Sequence, residues 1–222
     1  MNSEFIEQLN DGLASVVSKV YPALVQVSNG RMGHGAGTIW HRSGLIMTNS
    51  HVVGRRPPKV ILADGREYRA TLVARSADRD LAALAIEADD LPTVELGDSR
   101  TLAAGDWVIA LGHPWGVKGA ITAGVIVGNT GDEFAELAQM TGNQEWVVAS
   151  LHMRPGHSGG VMVDSRGRVI GINTMINGPD VGVAIPVYPG SPAQTLADQA
   201  LEWMQGQRKR SEPVEQPVAS YV

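Results

Sequence analysis

The sequence predicts an all-β protein, a barrel or a sandwich, in two β subdomains with a helix at each end. Three observations carry that expectation. Short Val/Ile/Leu-rich runs recur from Leu24 to about Pro186, each bounded by Gly, Asp, Asn or Pro, the spacing of many short strands. Glycine is frequent, at 26 of 222 residues with no collagen period, and 12 prolines join it, a composition suited to tight turns. The stretch 92–105, with Pro92, Gly97-Asp98-Ser99 and Ala103-Ala104-Gly105, separates two groups of about six runs.

Taken in order, Phe5, Leu9, Leu13, Val16 or Val17, and Val20 fall at helical spacing, with Asn2 or Ser3 as N-cap and Pro22 as the stop. Residues 1–22 are therefore expected as a helix, 23–100 as the first β unit and 101–190 as the second. Strands are expected near 24–28, 37–40, 44–49, 59–63, 69–74 and 81–86, then near 107–111, 121–128, 146–150, 161–164, 168–172 and 181–186. Asp64-Gly65 and Ser165-Arg166-Gly167 sit where hairpin turns belong. Ser191-Pro192 opens a second helix, with Leu196, Ala200 and Trp203 or Met204 on its apolar face and Gly206 as its end. Residues 207–222 are polar and proline-bearing, and are expected to be a disordered tail.

Composition excludes several functions. Hydrophobic residues make up 43% and charged residues 18%, with a net charge of −5. A core is affordable, and neither nucleic acid nor an anionic membrane is expected as main partner. No run approaches the ~18 apolar residues of a membrane span. Cysteine is absent, which removes disulfides, thiol catalysis and Cys-ligated metals. The start Met1-Asn2-Ser3-Glu4 lacks the pattern of a signal peptide. That gives a cytoplasmic expectation, with an extracytoplasmic one if the N-terminus has been cut or replaced.

One segment concentrates chemistry: Pro155-Gly156-His157-Ser158-Gly159-Gly160. A serine between glycines suits a nucleophile on a sharp turn whose N–H groups face a developing oxyanion. A plain glycine turn and the nucleophile elbow of α/β-hydrolases share this pattern. The elbow requires a histidine after the serine, whereas His34, His41, His51, His113, His152 and His157 all precede Ser158. The order His, Asp, Ser belongs to two-barrel proteases. His51, after the run Leu45–Met47, can serve as base near neutral pH; a packed core histidine is the plainer alternative. Of the acids between His51 and Ser158, Asp80 directly precedes the run Leu81–Ile86, with Asp78 as the rival.

These residues belong to an ordered set. It comprises Gly33-x-Gly35-x-Gly37-Thr38, Gly44-Leu45-Ile46-Met47-Thr48-Asn49-Ser50-His51-Val52-Val53, Asp78-x-Asp80-Leu81-Ala82-Ala83-Leu84 and Leu96-Gly97-Asp98-Ser99. It continues with Gly105 to Gly116, Thr122-Ala123-Gly124, the serine segment, Gly171-Ile172-Asn173-Thr174 and Val183-Ala184-Ile185-Pro186. From about residue 8 to 206 the chain resembles the HtrA-type trypsin-like serine proteases, a branch of the chymotrypsin-like superfamily. The resemblance implies two six-stranded antiparallel β-barrels with the site between them, and endopeptidase activity on polypeptides, including unfolded proteins. It implies His51, Asp80 and Ser158 as the triad. The turn Gly156, His157 and Ser158 would form the oxyanion hole, with the N–H groups of Gly156 and Ser158 each contributing on the order of 3 kcal/mol. Ile172, Asn173 and Thr174 would pair with substrate backbone, and no cofactor is required. Trimers through the N-terminal segment and quality-control or regulated proteolysis are family habits. No PDZ domain would fit after the second helix.

The chain departs from the family at His157 and His113, where Asn is usual, at Val161, where Pro is common, and in lacking an acid in Ser150–Arg154. His152, six residues before Ser158, falls by superfamily analogy at the floor of the pocket for the residue before the scissile bond. Two readings stand for it: a bias toward polar or acidic side chains there, or a histidine simply packed at the pocket wall. The competing class is a peptide-binding or chaperone-like module with an inactive or conditionally formed site. Weaker signals are Gly33–Thr38 as a dinucleotide loop, which lacks its third glycine, and His34, His41 and His51 as metal ligands, for which carboxylates are missing nearby. The acids Asp132, Glu133 and Glu136 suit a solvated loop, and Ser220-Tyr221-Val222 fits a PDZ-ligand pattern.

Overall fold

The computed structural model describes residues 3–29, 34–129, 144–176 and 180–211. The expectations for Gly33, Asp132, Glu133, Glu136 and Ser220–Val222 lie outside them. Helix α1 (Ser3–Val20) runs into a short turn at Tyr21–Ala23. Among its described side chains Val16 and Val20 are buried and Leu13 packs half-buried on the same cluster, while Lys19 reaches Glu95 (2.8 Å) and the Arg166 carbonyl (3.1 Å).

The first sheet contains β1 (Leu24–Ser28), β2 (His34–His41), β3 (Leu45–Thr48), β4 (Lys59–Ile61), β5 (Glu67–Arg69), β6 (Thr71–Ser76) and β7 (Leu81–Ala85). Its order is β5-β4-β1-β2-β3-β7-β6, a curled half-barrel. The run expected at 69–74 is in fact two strands meeting at Ala70. The second unit contains β8 (Glu95–Leu96), β9 (Trp107–Gly112), β10 (Ala120–Asn129), β11 (Val147–Ser150), β12 (Val161–Asp164), β13 (Arg168–Ile176) and β14 (Val181–Pro186). Six of these close on themselves, because β12 pairs with both β9 and β13, and β8 adds to β13 in parallel. The architecture is thus a closed barrel beside a curled half-barrel.

The apolar runs are continuous because alternate residues serve different cores. On β3 and β7, Ile46, Ala82 and Leu84 point into the first unit, whereas Leu45, Met47, Leu81 and Ala83 face the seam between the units. On β9, Val108 and Ala110 fill the second barrel and Ile109 and Leu111 face the seam. Helix α2 (Pro192–Ser211) packs Ala193, Leu196, Ala197, Ala200 and Met204 onto that seam cluster. Ser191 caps it through its carbonyl to Thr195 N–H (2.9 Å) and its hydroxyl to Gln194 N–H (3.3 Å). The sequence expectation ended this helix at Gly206, but it runs on to Ser211, so the first residues assigned to a disordered tail are helical. A lone glycine costs about 1 kcal/mol, which a helix anchored at Ala200 and Met204 tolerates.

Among the described residues, no helix is long and apolar enough to cross a membrane.

Candidate active site

The pairing of β3 with β7 places Thr48 opposite Ala82, so the residues just after one strand and just before the other meet. Ser50 N–H and the Asn49 side-chain amide both donate to the Asp80 carbonyl (3.1 and 3.0 Å). His51 then presents two donors to the Asp80 carboxylate. Its backbone N–H reaches Oδ1 at 3.0 Å, and its ring Nδ1 lies 2.8 Å from Oδ2. Asp80 adopts φ +51°, a left-handed conformation rare for a non-glycine residue and held only by such over-determination.

A third donor crosses the seam. Thr174 Oγ1, on β13, donates to Asp80 Oδ2 at 2.5 Å. Burial works to raise the Asp80 pKa, but the hydrogen bonds from His51 and Thr174 outweigh it and hold the carboxyl below its usual range. An ionised carboxylate only accepts, so Nδ1 of His51 carries the proton and Nε2 offers a lone pair. The rival Asp78 is spent elsewhere, accepting from Ser76 Oγ at 2.7 Å.

Ser158 lies between β11 and β12 and is tied to the first unit by its carbonyl, which accepts from Ala36 N–H at 2.8 Å. Its Oγ donates to the Thr174 carbonyl at 3.2 Å. Thr174 therefore bonds the serine through its backbone and Asp80 through its side chain. The preceding turn is closed by His157 N–H to the Arg154 carbonyl at 3.0 Å, with Gly156 at φ +106°, as a type II turn requires. The His157 N–H is thus committed to the turn, while those of Gly156 and Ser158 have no acceptor among the described residues. Gly159 (φ +81°) passes so close to β2 that a Cβ there would lie 2.1 Å from the Ala36 carbonyl oxygen.

Two buried imidazoles back this turn. His157 Nδ1 faces Arg154 N–H at 3.1 Å, and His113 Nδ1 accepts from Gly119 N–H at 3.2 Å. The Nε2 atom of His157 has no hydrogen-bond partner among the described residues. Burial, aided by the Lys118 charge, pushes His113 down to about 4, and burial also lowers His157.

The residues expected to pair with substrate divide. Asn173 is buried: its N–H donates to the Gly160 carbonyl, its carbonyl accepts from Gly159 N–H, and its amide bonds the Leu111 and Val161 carbonyls. Ile172 is a core residue paired with Val161 and Ile185. Neither can take an added strand. Thr174 sits in the bulge after Asn173, where the ladder to β14 shifts register. His152 is half-exposed and its Nδ1 lies 2.9 Å from Asp180 Oδ1, a partner that no motif marks. Among the described residues, no group of three or more His, Asp and Glu has the arrangement of a metal site.

A model of the trypsin-like peptidase domain matches residues 35–172. The chain belongs to that family. Its relatives include HtrA-type proteases. The probable periplasmic serine endoprotease DegP-like of Marinomonas is 39% identical over 173 residues, 76% of this chain and 36% of that protein. The mitochondrial serine protease HTRA2 of Drosophila willistoni is 36% identical over 157 residues, 69% of this chain and 36% of that protein. Among solved structures, an HtrA-type protease, AlgW, with a tripeptide superposes with a TM-score of 0.70 at 32% identity. That match covers 87% of this chain and 62% of the other. The chain spans about a third of the length of these curated relatives.

Proposed function

We propose that this trypsin-like domain is a serine endopeptidase of HtrA type acting on polypeptides. The observation that carries the reading is the convergence on Thr174, which joins Ser158, Asp80 and, through Asp80, His51 by hydrogen bonds of 2.5–3.2 Å. Ser158 turns its hydroxyl from the Thr174 carbonyl to His51 Nε2 and attacks the scissile carbonyl as the imidazole takes its proton. Asp80 keeps Nδ1 protonated and stabilises the imidazolium. The negative charge on the tetrahedral oxygen falls to the N–H groups of Gly156 and Ser158, at about 3 kcal/mol each. His51 then protonates the leaving amine, and water, activated by the same base, releases the acyl group. The substrate chain runs along β13 from Thr174 onward.

The compartments in the relatives' names, periplasm and mitochondrion, support the extracytoplasmic alternative over the cytoplasmic one. The resting bond of Ser158 to Thr174 rather than to His51 is what the non-proteolytic alternative has in its favour. A fluorophosphonate probe separates the two: labelling that vanishes in Ser158→Ala, with loss of casein hydrolysis by about 10⁶ in kcat, supports the protease. Absence of labelling of the native chain from pH 6 to 9 would assign it to the binding class.

A further inference from the structure

A groove of about 530 Å³ opens between the end of β6, the β6–β7 turn and the first turns of α2. Its polar lining is Arg75, Ser76, Arg79, Tyr188, Thr195 and Gln199. Among the described residues, two guanidiniums line it and no carboxylate does, on a chain whose net charge is −5.

Among the described residues, Arg75 has no carboxylate partner and Arg79 has one only at the outer limit of an ion pair. Arg75 Nη2 donates to the carbonyls of Ser50, at 3.1 Å, and Val53, both uncharged acceptors. Those two bonds fix the guanidinium at the groove wall and leave its other N–H groups for a ligand, so little side-chain entropy is lost on binding. Arg79 has Asp78 at 4.0 Å, the outer limit of an ion pair, and that carboxylate is already shared with the Ser76 hydroxyl. The tyrosine hydroxyl is committed to Glu145 at 2.8 Å, leaving its ring as an apolar wall that Arg100, itself paired with Asp98, covers from 4.7 Å. Hydroxyl and amide donors from Thr195 and Gln199 complete the opposite wall. The groove is larger than one oxyanion needs, and its donors come from two elements and the turn beside them, which suits successive carboxylates along a chain.

We propose that this groove binds an acidic peptide segment, its carboxylates taken by Arg75 and Arg79. The probe is fluorescein-labelled hexaglutamate, titrated by anisotropy against the full chain carrying Ser158→Ala, so that no turnover intervenes and the result is independent of the protease reading. Saturable binding is expected that weakens about tenfold between about 20 and 200 mM salt. Arg79→Glu and, independently, Gln199→Glu on the exposed face of α2 should each weaken it by about tenfold or more. Equal binding by both variants, no saturable binding at low salt, or full displacement by equimolar inorganic phosphate overturns the proposal.

Discussion

The two halves of the site are built by different physics. On the His51–Asp80 side, neighbouring strands of one sheet deliver both residues, and a carboxylate with three donors locks them. On the serine side, a turn between β11 and β12 is shaped by glycines that nothing larger could replace and is backed by two imidazoles whose burial disfavours their charged forms. The first half is held by charge and hydrogen bonding. The second is held by close packing, with buried groups that must stay neutral. Each half should therefore fail under a different perturbation.

Removing the charge should have the larger effect. Asp80→Asn keeps the shape but lets the new amide donate to the ring, favouring the wrong tautomer of His51. A kcat loss of about 10⁴ is expected on a fluorogenic peptide, and a loss under tenfold would show that the hydrogen-bonded half is not what orients the base.

Acid should strike the packed half first. His113 titrates at about 4 in the folded chain and near 6.5 when unfolded. Between those values the unfolded state binds a proton that the folded state refuses, so stability falls as pH drops from about 6.5 to 4 and then levels for this group. The full difference amounts to roughly 3 kcal/mol. Asp80, also lowered in the folded chain, acts with the same sign in a more acid window, its stabilisation being present above about 3.9 and lost only as pH falls below it. Urea unfolding of His113→Asn should lack most of the loss between pH 6.5 and 4.5; an unchanged pH slope would remove His113 as its cause.

The smallest effect sharpens the link between the halves. Thr174→Val deletes the donor to Asp80 while leaving the carbonyl that receives Ser158. A loss of about 1 kcal/mol in transition-state stabilisation, tenfold or less in kcat, is expected, with Thr174→Ser restoring it. If serine fails to rescue, the hydroxyl is not the operative group.

Legibility in the sequence followed distance along the chain. His51 and Asp80 flank apolar runs that pair with each other, so their meeting could be read from position alone. Ser158 announced itself through its glycines. Thr174, by contrast, reaches Asp80 across 94 residues, and Asp180 reaches His152 across 28. Arg75 reaches the turn carrying His51 across 25 residues or fewer, yet no motif marks it. Asn173 sat in a strand expected to face substrate, and only the β12–β13 and β13–β14 ladders show it enclosed on both sides. Gly206 read as a helix stop because propensity is local, whereas Ala200 and Met204 hold the helix from outside it.

By itself the sequence determined the all-β class and most strand positions, because periodicity and turn residues act over a few neighbours, while the proposed order of base, acid and nucleophile rested on the resemblance its motifs carry. Only the tertiary structure decided that one unit closes while the other curls, that Thr174 binds both the serine and the acid, and that two arginines share a groove with α2. Those outcomes depend on which distant surfaces meet when alternate residues of the same strand are buried in different cores.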